Sequence, residues 1–298
     1  MSTPSARTDP ATLTVTEILR GATQRLAARG IPSARLDAEL LLAAAIGVDR
    51  TRLWTDGARP LDCESGDRFE SALRRREARE PLQQIRGSQE FFSRDFDVSA
   101  DVLIPRPETE ILVEAAIDAV AGSTAPRIVD LGTGSGAIAI TLAIEIPQAR
   151  VVAIDVSEAA AGAARKNVRR LGVGDRVDVR SGDWTDPCRG ESFDLVVSNP
   201  PYVCRGEIAT LEPEVRDFEP RAALDGGVDG LDAYRRLAPL VGAILEPGGS
   251  VVLEIGHGQR AAVLALFGAR GFAPREIRKD LAGIERVLVL ARVEDDRG

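Results

Sequence analysis

At 298 residues, 44% of them hydrophobic, the chain is long enough to bury two substantial cores. With 28% charged residues it has no apolar run near the ~20 residues of a bilayer span, which excludes a helical membrane protein. The net charge of −8 is unevenly spread: the first 90 residues carry 14 basic and 13 acidic side chains and the remainder 24 and 33, so the larger part lacks the basic surface that binds duplex phosphate.

Residues Met1 to Pro10 lack the apolar centre of a secretory signal and read as a frayed tail. Thr14-x-x-Glu17 is a capping box. It opens a helix whose stripe of Val15, Ile18, Leu19, Ala22 and Leu26 runs up to the stop at Gly30. A second helix is predicted from Ser33 to Ile46, with Leu36, Leu40, Leu41 and Ala44 inward and Gly47 as its C-terminal signal. A third runs from Asp62 to Arg79, and Arg74, Arg75, Arg76 and Arg79 are expected on a solvated face paired with Glu70, Glu77 and Glu80. Residues 1–80 thus form a predicted helical domain without chemistry of its own. Short extended pieces around Gly87 and Phe91-Phe92 make 81–100 a hairpin linker.

From 101 to 298 the pattern alternates. After a helix from Thr109 to Ala121, strands near residues 127, 151, 177, 194, 250 and 287 are separated by helical stretches. That order predicts an α/β fold, a Rossmann-like, mostly parallel sheet covered by helices on both faces. The strand at 127 breaks into Gly132-Thr133-Gly134-Ser135-Gly136, where glycines let the backbone approach a ligand closely. The next strand ends in Asp155, placed to take the hydroxyls of a ribose. Gly182-Asp183-Trp184 could set an aromatic edge against an adenine or be an ordinary loop with a buried Trp.

Gly132, Gly134 and Ala137 also satisfy the dinucleotide fingerprint, so the loop alone does not separate a nicotinamide cofactor from S-adenosylmethionine. The downstream half does. Asn199-Pro200-Pro201-Tyr202 follows the apolar run Phe193 to Val197 and suits the methylation of a planar nitrogen whose lone pair is conjugated. The Asn199 oxygen and the Pro200 carbonyl can accept the two N–H bonds, Pro200-Pro201 stiffens the loop, and Tyr202 offers a flat face. A dehydrogenase has no use for that sequence, and donors of its kind are scarce: His257 is the only histidine, Lys166 and Lys279 the only lysines. Transfer from a sulfonium needs no covalent intermediate or strong base, so Cys204 and His257 are assigned no catalytic role. Cys63, Cys188 and Cys204 show no metal spacing and fit a reducing compartment.

These motifs, with Phe91-Phe92, the run Leu103 to Glu110 (LIPRPETE), Glu219-Pro220-Arg221-Ala222-Ala223-Leu224 and Leu253-Glu254-Ile255-Gly256, resemble the HemK/PrmC family, the protein-(glutamine-N5) methyltransferases of peptide chain release factors. The resemblance covers most of the chain and departs from the family at Gly182, where many relatives read Ser. It implies S-adenosylmethionine as cofactor, held by Gly132 to Gly136, Asp155, Trp184 and Asn199. The glutamine of a release factor's Gly-Gly-Gln motif would then be held by Asn199, Pro200, Pro201 and Tyr202. It also implies a cytoplasmic enzyme with a docking role for the helical domain and no metal, membrane or direct nucleic-acid partner. An amino-group methylase of RNA or DNA using the same four residues, and a non-enzymatic nucleotide-binding module, stay open on the residues alone.

Overall fold

The structure, a computed structural model, describes residues 13–55, 57 and 60–293. The tail Met1 to Pro10 lies outside them. The chain divides into two compact units: residues up to Gly87 together with Pro213–Phe218, and Ser88–Glu212 together with Glu219 onward. Among the described residues no helix is long and apolar enough to cross a membrane.

The first unit holds α1 (Val15–Ala28), α2 (Ala34–Ile46), α3 (Arg50–Thr55), α4 (Cys63–Glu77) and α5 (Leu82–Arg86). The capping box is present: Thr14 N donates to Glu17 Oε2 at 2.9 Å while the Thr14 hydroxyl accepts from Glu17 N. Two sequence expectations fail here. Leu36 and Ala44 are exposed and Leu40 is half-buried, whereas Ala38, Leu42 and the charged Asp37 and Glu39 are buried. Arg76, expected in solvent, is also buried. Its guanidinium bonds Asp37 at 2.7 Å and Glu214 at 2.8 Å, while Arg35 and Arg50 hold Glu39. The buried face of α2 is the apolar stripe Ala34, Ala38, Leu41, Leu42 and Ala45, about one residue from the expected phase, and the carboxylates buried beside it are held by arginines. Arg74 and Arg75 do lie on the surface, paired with Glu70 and Glu80.

Glu214 belongs to α9 (Pro213–Phe218), a segment far downstream in sequence that groups with this unit. It is held by Arg76 and, at 2.6 Å, by Arg79, with Gln84 Nε2 donating to the Phe218 carbonyl at 3.2 Å.

The second unit begins with the hairpin β1 (Ser88–Phe91) and β2 (Arg94–Asp97). It continues with α6 (Thr109–Ala119), β3 (Arg127–Leu131), α7 (Ala137–Glu145), β4 (Arg150–Asp155), α8 (Glu158–Arg170), β5 (Val177–Ser181) and β6 (Phe193–Ser198). After α9 come α10 (Arg221–Leu224), α11 (Asp232–Ile244), β7 (Leu245–Glu254), α12 (Arg260–Gly268), β8 (Phe272–Lys279) and β9 (Glu285–Arg292). The seven-stranded sheet has the order β5-β4-β3-β6-β7-β9-β8. It is parallel from β5 to β7, with β9 and β8 added antiparallel. Successive strand residues enter opposite cores: Ile128, Val151 and Leu195 pack with α6 and α7, and Val129, Val152 and Val196 with α11 and α12.

Strand β8 is absent from the expected set. Only Phe272 of its eight residues is fully buried and Pro274 interrupts it, a pattern suited to a sheet edge and too polar to read as a strand. The hairpin packs with this unit: Phe91 and Phe96 are buried at a 6.0 Å ring separation, and Asn167 bonds both the Asp97 backbone and the Ser135 carbonyl.

Candidate active site

A cavity of about 370 Å³ opens where β3, β4, β5 and β6 end, lined among others by Gly132, Gly134, Asp155, Gly182, Trp184 and Asn199. The strand order reverses direction between β3 and β6, the place where parallel sheets leave a crevice for ligands.

Glycine shapes its floor. Gly132 and Gly134 have φ of 82° and 56°, in the left-handed region, and a Cβ at either would meet no atom within 4 Å and so stand in the space they line. Thr133, Ser135 and Gly136 build the loop from behind. The Thr133 hydroxyl donates to Asp130 at 2.6 Å, Ser135 is buried, and Gly136 abuts Ala164 as α7 begins. Asp155 accepts the backbone N–H of Gly134 on one carboxylate oxygen and that of Ser157 on the other, both at 2.9 Å. Each oxygen keeps a further lone pair for a ligand hydroxyl. Asp130 beneath the loop is fully buried with Oδ1 unpartnered, and burial pushes its carboxyl up to about 7.

Trp184 has a φ of 46° and is half-buried on the cavity wall. The Arg236 guanidinium lies 5.8 Å from its ring and pairs with Asp183 at 2.5 Å. Arg236 is the one basic side chain of the lining, against Asp101, Asp155, Asp183, Asp225 and Asp232. Asp183, Asp225 and Asp232 are paired with Arg236, Arg205 and Arg235, so the negative charge that the lining offers a ligand rests on Asp101 and Asp155. A sulfonium nucleoside suits the charge of this lining, in which the Asp155 carboxylate faces the cavity beside the glycine floor.

The β6 strand ends at Ser198, whose hydroxyl donates to the Leu131 carbonyl at 2.6 Å and fastens it to β3. Asn199 follows at the cavity wall, with Pro201 also in the lining and Pro200 buried behind. Asn199 Nδ2 donates to Thr109 Oγ1 at 3.2 Å, and the Thr109 hydroxyl donates to Glu254 Oε2 at 2.7 Å. The Tyr202 hydroxyl donates to the other carboxylate oxygen at 3.2 Å. Burial holds that hydroxyl's pKa far above its usual value, reinforced by the neighbouring Glu254, so it remains a donor and serves as no base. Gln259 grips the same loop: Nε2 donates to the Tyr202 carbonyl at 2.9 Å and Oε1 accepts from Gly256 N at 2.9 Å.

The structure thus brings Gly132, Gly134, Asp155, Trp184, Asn199 and Pro201 to one cavity, with Thr133, Ser135, Gly136, Pro200 and Tyr202 supporting its walls. Cys204 is half-buried, and desolvation together with Glu207 raises its thiol pKa, against nucleophilic use. His257 is exposed on the turn after β7. Thr109, Arg236, Glu254 and Gln259 were not singled out as site residues from sequence. Thr109 and Glu254 stand in segments that carry the family resemblance, the one signal that could have found them. Arg106 of the first segment ties to buried Glu219 at 2.6 Å.

A family profile described as "PrmC N-terminal domain" matches residues 17–87, and one described as "Methyltransferase small domain" matches 91–212. The chain is 42% identical over 279 residues to a release factor glutamine methyltransferase of Geobacter sulfurreducens, covering 94% of this chain and 97% of the relative. It is 46% identical over 286 residues to that of Burkholderia pseudomallei, covering 94% and 96%. It is 47% identical over 277 residues to that of Cereibacter sphaeroides, covering 93% and 98%. Among solved structures, a methyltransferase from Pyrococcus furiosus shares the fold at a TM-score of 0.50 and 17% identity, over 74% of this chain and 96% of that one.

Proposed function

We propose, from the premise that this chain belongs to the release factor glutamine methyltransferase family, that it methylates the side-chain nitrogen of the glutamine in the Gly-Gly-Gln motif of peptide chain release factors, with S-adenosylmethionine as donor. The observation that carries this reading is the setting of Asn199: it stands on the wall of an acidic, glycine-floored cavity with its amino group turned to Thr109.

The bound donor supplies a methyl group already activated on sulfur. The glycine floor, Asp155 and Trp184 would hold it, and the acidic wall suits its positive charge. The protein's task is then to aim a poor nucleophile. Asn199 Oδ1 and the Pro200 carbonyl accept the two amide N–H bonds, while Tyr202, its hydroxyl fixed by Glu254, supports the amide plane. Alkylation leaves the amide nitrogen acidic enough to lose its surplus proton to water, so no base is required.

The excess of 33 acidic over 24 basic residues beyond position 90 disfavours a nucleic-acid substrate and suits a protein with a basic surface. The helical unit would supply part of the docking surface. A substrate that works on the ribosome also places the enzyme in the cytoplasm.

The test is methyl transfer from radiolabelled donor to purified release factor, RNA and DNA in parallel, followed by mass spectrometry of the Gly-Gly-Gln tryptic peptide. A gain of one methyl on that glutamine is expected. Labelling of nucleic acid with an unmodified peptide would favour the amino-methylase reading instead.

A further inference from the structure

Behind the four-residue motif lies a chain of hydrogen bonds joining three distant parts of the sequence: Asn199 after β6, Thr109 at the start of α6, and Glu254 at the end of β7. Thr109 and Glu254 are 4% and 1% exposed, so solvent does not supply alternative partners.

A threonine hydroxyl has one proton to give. With Glu254 ionised, the form that prevails above its raised value of about 7, that proton goes to Oε2 in the shorter, charge-assisted bond, which leaves the oxygen of Thr109 able only to accept. Asn199 can satisfy that oxygen only with its amino group, as it does at 3.2 Å. Its carbonyl oxygen is thereby turned the other way. Without Glu254, the Thr109 proton would be free to meet Asn199 Oδ1, and the Asn199 amino group would face the N–H groups of the incoming amide, donor against donor. The second oxygen of Glu254 takes the Tyr202 hydroxyl, so one carboxylate sets both the polarity of Asn199 and the tilt of the tyrosine ring. Burial also raises the Glu254 carboxyl to about 7, which marks the cost of keeping this group in the core and argues for a use beyond packing.

We propose that Thr109 and Glu254 are positioning residues for methyl transfer, which fix the amide of Asn199 with its carbonyl oxygen toward the substrate nitrogen. The inference rests on the reading of Asn199 given above.

The experiment compares single-turnover rates of the full-length wild type, Thr109→Val, Thr109→Ser and Glu254→Gln on a release factor, together with donor affinity and KM for the release factor. Valine matches threonine in shape and lacks the hydroxyl. Thr109→Val is expected to lower the rate by about tenfold to a hundredfold, the range for a slightly misaimed reacting group, with KM and donor affinity unchanged. Thr109→Ser, which keeps the hydroxyl, should restore most of the rate. Glu254→Gln replaces one acceptor by a donor and should lose rate in the same way, which keeps a readout if the valine variant fails to fold. A Thr109→Val enzyme as fast as wild type, or a serine variant as slow as valine, would overturn the proposal while leaving the glutamine reading intact. A wild type that methylates no release factor would overturn both.

Discussion

The amino group of Asn199 lies 3.2 Å from the hydroxyl of Thr109, a residue 90 positions earlier in the chain. Asn199 is therefore held by the first turn of α6 as well as by its own loop. Its contribution should appear in the rate.

Asn199→Ala is expected to lower turnover on the order of a hundredfold or more at saturating donor, as for loss of a preorganised hydrogen-bonding group. The release factor, held by a broad surface, should dock almost as well. Quench-flow single-turnover assays check this; a near-normal rate would reduce Asn199-Pro200-Pro201-Tyr202 to a turn.

Asp155 braces Gly134 and Ser157 while facing the cavity. Asp155→Ala should weaken donor binding by roughly 1.5 to 3 kcal/mol, through loss of charge-assisted bonds and loosening of the loop. Calorimetric titration of the folded variant with S-adenosylmethionine reads this directly, and an unchanged affinity would remove Asp155 from the donor site.

A Cβ on Gly136 would come 3.0 Å from Ile140 Cδ1 and 3.2 Å from the Ala164 Cβ, at a φ of 82°. Gly136→Ala should therefore destabilise the fold by about 1 to 3 kcal/mol, combining backbone strain with overpacking. Urea unfolding followed by circular dichroism provides the measurement; a variant as stable as wild type contradicts the stated geometry.

Two arginines two residues apart should behave very differently. Arg76, 5% exposed and shared by Asp37 and Glu214, should cost about 3 to 5 kcal/mol when changed to Ala, because the buried Asp37 carboxylate loses its guanidinium partner, whereas half-buried Glu214 keeps Arg79. Arg74→Ala, removing a pair with Glu70 at the surface, should change stability by under about 1 kcal/mol. Parallel denaturant titrations decide, and equal effects would refute the buried-pair account.

Burial raises the carboxyls of Asp130 and Glu254 to about 7 in the folded protein, from ordinary values of 3.8 and 4.5. Desolvation is the main cause at both. Thr133, Asp155 and the Ala139 backbone act on Asp130, and Thr109, Tyr202, Arg286 and Glu108 on Glu254. Between those values and 7 the folded state binds more protons than the unfolded one, so each group makes stability fall as pH rises, by at most ~1.4 kcal/mol per pH unit. The pair Asp130→Asn and Glu254→Gln should flatten the decline between pH 4.5 and 7 in thermal unfolding. An unaltered slope would show that neither group carries the raised value.

Local signals reached far in this chain because the features concerned are local. The capping box at Thr14, the glycine loop, and the alternation that splits Ile128 and Val129 between two cores depend on neighbours a few residues apart. The place of Asn199 and Pro201 on the cavity wall follows from the same kind of local signal, four residues at the end of a strand. Tertiary structure alone decided which charges go inside and what they hold. Asp37 and Arg76, Arg76 and Glu214, and Thr109 and Glu254 meet only after distant segments have packed. A buried ion or carboxyl is tolerable only beside its partner, so the burial of Arg76 and Asp37 could not be read from either segment alone. The orientation of Asn199 belongs with these, since its amino group meets a hydroxyl at the start of α6, 90 positions earlier in the chain.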